Sequence, residues 1–314
     1  MDDAVSAMLQ TLNDGFPPVE RMSAGDARAA VAARRQPVRN LDDVAATRNA
    51  LIDGPGGGLA LRIYQPHRPD GGAVVFCHGG GFVLCDIESH DGFCREFAKE
   101  CSAVVVSVGY RLAPEHPAPA AAEDAFAAFQ WVVEHAANLG VDPERVAVAG
   151  DSAGGNLAAV TALICRSRDA PTPAAQVLLY PVIDPSFDTD SYRTRAEGFF
   201  NTRVAMQWYW RQYLGGDVLP KPSWSVAPAR AESHAGLAPA VVVTAELDPL
   251  HSEGVAYAAT LRAAGVTVVH RDFPGLFHGF LTMMPFAPAV AARALLWGDV
   301  RDLLAVSAGA EPAR

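Results

Sequence analysis

The chain has 314 residues, 50% hydrophobic and 19% charged. That balance excludes disorder over most of its length and suits one large α/β domain or two small ones. Its formal net charge is −10, and of 25 basic residues only Lys99 and Lys221 are lysines, so no concentrated basic face for nucleic acid is readable.

The opening Met-Asp-Asp-Ala-Val lacks the basic and apolar regions of a secretory signal, and no membrane span is expected because no run of about eighteen apolar residues occurs. Five cysteines, Cys77, Cys85, Cys94, Cys101 and Cys165, are an odd number without CxxC spacing. Reduced thiols in a cytoplasmic protein are expected.

Apolar groups at Ala4, Val5, Met8, Leu9 and Leu12 predict an amphipathic helix over 2–12, and a second is expected over 24–35, stopping before Pro37. This piece is too small for a domain and is expected to pack over something else. Strand patterns at 44–52 and 59–65 flank Gly54-Pro55-Gly56-Gly57-Gly58, which reads as a hairpin turn. No Lys-Ser/Thr follows and no helix opens there, so a phosphate cradle is set aside.

Short β-branched runs then recur at 73–77, 103–108, 145–149, 176–180, 240–245 and 267–273. Helical patterns lie near 89–101, 119–138, 153–167, 252–264 and 286–305. Apolar strands alternating with helices predict an α/β protein with a mostly parallel, twisted sheet flanked by helices. The rhythm breaks between about 185 and 225, where Phe199, Phe200, Trp208, Tyr209, Trp210 and Tyr213 accompany a helix from about Thr202 to Leu214, ended by Gly215-Gly216. A lid over the strand ends would sit there. No internal repeat is found, and the chain past about 307 reads as a polar tail.

Gly150-Asp151-Ser152-Ala153-Gly154 matches G-x-S-x-G between a strand and a helix. Such a turn strains the serine backbone, the glycines relieve crowding, and the hydroxyl lies at a helix N-terminus. A capping serine among packed glycines is the bland alternative. His78-Gly79-Gly80-Gly81 follows another strand, and its glycines let backbone N–H groups face a cavity. With Ala153, Gly80 and Gly81 are the expected oxyanion donors; a flexible loop is the alternative.

An acid and a base must follow the serine in chain order. Asp248 closes the strand run AVVVTAELD and is preferred, with Asp184 as its rival. Of His234, His251, His270 and His278, the last is preferred because it falls on a loop between the last strand and the last helix. No HxH or HExxH pair suggests a metal. Asp151 is expected to point away from the site and to be structural. Phe82, Trp208 and Tyr209 are candidates for contact with substrate, although large aromatics more often serve packing.

HGGGF (78–82), YRLAPEHPAPAA (110–121), GDSAGGN (150–156), DPL (248–250) and HGF (278–280) together resemble the hormone-sensitive-lipase-like esterases, bacterial family IV, over most of residues 60–285. The resemblance implies an α/β-hydrolase fold with Ser152 as nucleophile, Asp248 as acid, His278 as base and the same oxyanion donors. It also implies a helical cap made of residues 1–50 and 185–225 over a core of 51–184 and 226–314. Where the family often continues DPL with Arg-Asp-Glu, this chain has His251-Ser252-Glu253. A change of local salt bridges is expected, not of the triad.

The expected activity is hydrolysis of short-to-medium acyl esters through an acyl-enzyme, with no cofactor or metal, a small-molecule ester as substrate, and no nucleic acid or membrane as partner. An amidase or formamidase with the same triad is the alternative. A ligand receptor on this fold is a further one, against which the presence of His278 counts. The resemblance alone suggests a homodimer through the edge strand near 267–273.

Overall fold

The computed structural model describes residues 2–307, so the polar tail expected past about 307 lies outside the described residues. The chain opens with α1 (Asp3–Gly15) and α2 (Ala24–Ala32), started by the side chains of Asp2 and Ser23, which accept N–H groups of the first turn. A hairpin follows, β1 (Ala46–Gly54) and β2 (Gly57–Gln65), closing Gly54 on Gly57 across Pro55-Gly56. The remaining core runs β3 (Ala73–Cys77), α3 (Asp91–Cys101), β4 (Val104–Gly109), α4 (Ala120–Glu134), α5 (Ala136–Leu139), β5 (Val146–Asp151), α6 (Ala153–Ser167) and β6 (Gln176–Leu179). After the insertion, with α7 (Asp190–Thr194) and α8 (Arg203–Leu214), come β7 (Ala240–Leu247), α9 (His251–Ala263), β8 (Val268–Phe277) and α10 (Ala287–Ser307).

The eight strands form one sheet in the order β1-β2-β4-β3-β5-β6-β7-β8, parallel from β4 through β8. Both faces are apolar because strand side chains alternate. Ala73, Val75 and Cys77 join the core beneath α4, α6 and α9, while Val74 and Phe76 join the one beneath α3 and α10. Val146 and Val148 against Ala147 and Ala149 repeat the pattern on β5.

Two expectations change. The helix expected over 119–138 is interrupted at His135, whose backbone leaves the helical region. The last strand does not stop at 273. Its pairing slips between Ala245↔Phe273 and Leu247↔Phe277, and the Gly275 N–H donates to the Glu246 carboxylate at 2.7 Å inside this bulge. The expected loop before His278 is therefore strand, and His278 follows its last residue directly.

The N-terminal segment and the insertion meet. The Asn13 side-chain amide donates to the Gly198 carbonyl at 2.8 Å and accepts the Phe200 N–H at 3.0 Å, and Phe16 packs edge-on against Phe200. Arg28 anchors α2 to the core by donating to the carbonyls of Val83 and Ala113 and to Glu115. β8 forms one edge of the sheet. Among the described residues, no helix is long and apolar enough to cross a membrane.

Candidate functional site

Parallel register gathers the candidate residues at the C-terminal ends of neighbouring strands. Cys77 opposite Gly150 sets the His78–Gly81 loop beside the turn that carries Ser152. Leu247 opposite Phe277 sets Asp248 beside His278.

Ser152 sits between β5 and α6 with φ +55°, a left-handed conformation that disfavours a side chain. Its N–H donates to the Leu179 carbonyl at 2.8 Å, and its own carbonyl accepts the Val182 N–H at 3.1 Å. Gly154 explains the tightness of this turn, because an added Cβ would collide with the Cys77 carbonyl on β3. The turn thus presses on the neighbouring strand.

The structure brings the three expected side chains together. His278 Nε2 lies 2.9 Å from Ser152 Oγ, and His278 Nδ1 lies 2.6 Å from Asp248 Oδ2. Asp248 is fully buried, and its other oxygen accepts the Leu250 N–H at 2.9 Å. With Nδ1–H donating to the carboxylate, the Nε2 lone pair is aimed at the serine hydroxyl. This geometry can raise the nucleophilicity of an alcohol. The rivals are occupied elsewhere. Asp184 pairs with Arg230 at 2.5 Å, His234 meets the Pro228 carbonyl, His251 meets Asp272 and His270 meets Thr244.

Beside Ser152, a cavity of about 590 Å³ is lined by Gly80, Gly81, Asp151 and His278. Among the described residues, no acceptor takes the N–H of Gly80 or Gly81. Ala153 is the first residue of α6, where a backbone N–H has no partner within its own helix. Gly81 has φ +62°, and a Cβ there would run into the Tyr209 ring.

Asp151 does more than the sequence suggested. Its Oδ1 accepts the Gly79 N–H at 2.8 Å and lies 3.1 Å from His90 Nε2, bracing the glycine loop. Burial pushes its pKa up, but His90 and the Gly79 N–H outweigh that and hold it below the usual carboxylate value. Under the same loop, the Tyr110 hydroxyl donates to the His78 carbonyl at 2.7 Å, and its ring stacks on the imidazole. Burial pushes His78 down to about 4.

Of the three candidates for substrate contact, Tyr209 lines the cavity. Phe82 does not. It is 1% exposed, and its φ of +64° directs the ring onto Tyr213, stacked at 3.8 Å between centroids. Trp208 is also outside the lining and packs edge-on against Tyr209. Sequence reasoning missed the apolar wall from Leu12, Phe16, Val19, Leu84, Met206 and Met283, and the polar Asn13, Glu20 and Asn201. Four distant segments supply it, and only the helical pattern of 2–12 hinted at one.

Comparison with known proteins agrees with this architecture. The family model described as the alpha/beta hydrolase fold matches residues 74–282. Esterase LipI of Mycobacterium tuberculosis is 40% identical over 313 residues, 94% of this chain and 96% of its own. Carboxylic ester hydrolase LipN of the same organism is 45% identical over 249 residues, 77% of this chain and 66% of its own. The solved structure of a thermostable esterase from Pseudomonas putida ECU1011 superposes with a TM-score of 0.89 at 37% identity, covering 96% of this chain and 97% of its own. These names are of ester hydrolases and do not favour the amidase alternative. The chain belongs to the α/β-hydrolase family, in its hormone-sensitive-lipase-like branch.

Proposed function

We propose that this chain is a serine carboxylic ester hydrolase in which Ser152 is the nucleophile, His278 the general base and Asp248 the group that orients it. The supporting observation is the relay from Asp248 through His278 to Ser152 Oγ, at 2.6 and 2.9 Å, opening on the cavity.

His278 Nε2 takes the hydroxyl proton as Ser152 Oγ attacks the ester carbonyl carbon. The carbonyl electron pair moves to oxygen, where the N–H groups of Gly80, Gly81 and Ala153 receive the charge. One such donor is worth about 2.7–4 kcal/mol in the transition state. Collapse expels the alcohol, protonated by His278. Water then attacks the acyl-enzyme through the same base and releases the acid. Asp248 keeps Nδ1 protonated and stabilises the imidazolium in both steps.

Residues 1–50 and 185–225 serve as the cap that selects the substrate. The cavity volume and the apolar wall suit short-to-medium acyl chains. The free edge of β8 is offered to a second copy, which light scattering on a sizing column tests; a monomer rules this out. Cytoplasmic conditions fit the five free thiols, and localisation of a tagged chain checks this.

The decisive experiment compares wild type with Ser152→Ala on p-nitrophenyl esters of increasing acyl length. The variant should lose about five orders of magnitude or more in kcat while keeping its fold, and wild-type activity should peak below long acyl chains. Equal activity in the variant removes Ser152 from the chemistry.

A further inference from the structure

Glu253 is the odd group near the proposed relay. It lies in the first turn of α9, five residues after Asp248, and is 6% exposed. Its Oε1 accepts the Ile183 N–H at 2.8 Å, while Oε2 is buried with no hydrogen-bond partner among the described residues. A half-satisfied carboxyl group in an apolar interior is destabilising, so packing alone gives no reason for it.

Its neighbours give one. The segment Tyr180–Asp184 lies between the two halves of the proposed site. On one side it holds the serine turn: Val182 N–H donates to the Ser152 carbonyl, and Asn156 Nδ2 donates to the Val182 carbonyl at 2.9 Å. A Cβ on Gly155 of α6 would come within 3.0 Å of Pro181. On the other side the same segment meets α9, where a Cβ on Gly254 would lie 3.9 Å from the Pro181 ring. The Glu253–Ile183 hydrogen bond crosses that second boundary, one turn beyond the loop that holds Asp248.

Resting on the ester-hydrolase assignment above, we propose that Glu253 is a positioning residue: its carboxyl group ties the segment behind Ser152 to the helix that carries the Asp248 loop, fixing the separation of nucleophile and acid. The relay spans both halves, so a small slip between them lengthens one of its two hydrogen bonds without altering the cavity wall. A misplacement of about 1 Å at reacting groups can lower a rate by about 100-fold.

Burial pushes the Glu253 carboxyl well above its ordinary range, with the charges of Asp248 and Asp184 adding to the effect and the backbone N–H groups of Ile183 and Asp184 opposing it. Asp184 is paired with Arg230, and Tyr192 is the other titratable group close by. A neutral carboxyl group still accepts the Ile183 N–H, and so does a carboxamide.

The test compares Glu253→Gln, Glu253→Leu and Ser152→Ala on a short p-nitrophenyl ester, with wild-type and Glu253-variant rates normalised to sites titrated by an organophosphonate and the Ser152→Ala rate normalised to folded protein concentration. The Gln variant should stay within about 3-fold of wild type, and the Leu variant should lose about 10- to 100-fold in kcat with KM nearly unchanged. Glu253→Met, of similar volume, gives the same comparison if the Leu variant does not accumulate. Wild-type kcat in the Leu or Met variant overturns the proposal, as does a loss shared equally by Gln and Leu. Undiminished activity in Ser152→Ala would instead overturn the assignment of the nucleophile, so the two failures are told apart.

Discussion

The floor of the cavity and its wall are held by different forces. On the floor, directed hydrogen bonds fix the relay and the loop beside it: Ser152 to His278, His278 to Asp248, Asp248 to Leu250, Gly79 to Asp151 and Tyr110 to His78. The wall is mostly apolar contact among α1, α8 and the turns between them, tied at one point by the Asn13 amide to Gly198 and Phe200. It leaves Asn201 Nδ2 buried without a partner among the described residues. Directed bonds lose function when an atom is misplaced. Contact area fades gradually, and a wall so built can change shape while the chemistry below persists.

The sharpest way to break this contrast is on the floor. Asp248→Asn keeps the shape but lets the carboxamide favour the wrong imidazole tautomer, and kcat should fall about 10⁴-fold. A loss under tenfold, measured with the same ester, would mean that the carboxylate is not what orients His278.

Next in size is Phe82→Ala. The ring is buried and stacked on Tyr213, so its removal should lower stability by about 3–5 kcal/mol in a urea titration, with KM unchanged in the remaining folded protein. A KM effect without a stability effect would move Phe82 to the wall.

Acid should weaken the floor before the wall. Folded His78 titrates near 4 and the unfolded residue near 6.5, so between those values the unfolded chain binds more protons. The stability of the neutral buried ring is present above about 6.5 and is lost as the pH falls toward 4, by up to about 3 kcal/mol. Urea midpoints across this window should fall more steeply for wild type than for His78→Asn; equal slopes would refute the assignment.

The smallest effect belongs to the wall itself. Tyr209→Leu should change KM by about 10-fold between short and longer acyl esters and leave kcat on the best substrate close to wild type. A uniform loss of kcat would place Tyr209 on the floor, through its contact with Gly81.

The same division explains what could be read from the residue string. The strand rhythm, the serine turn and the glycine loop are legible because their backbones demand particular residue types at fixed spacing. Chain order leaves four histidines and an expected loop singles out His278, yet the extension of β8 beneath it depends on Glu246 reaching across to Gly275, which no local pattern carries. Phe82 misleads because its left-handed backbone turns the ring inward, a rotation invisible in HGGGF. Trp208 and Tyr209 are adjacent on one helix, and their composition does not say which faces the cavity. Leu84, Met206 and Met283 look like any core residue until distant segments fold together.

The contact between Gly154 and the Cys77 carbonyl also sets limits on redesign. A saturation library at position 154 should return glycine almost alone, whatever substrate is used for selection, because even a methyl group would push the helix off its neighbouring strand. Engineers seeking new selectivity would therefore gain little by randomising around the nucleophile. Met206 and Tyr209, on α8, offer diversity that the scaffold can absorb.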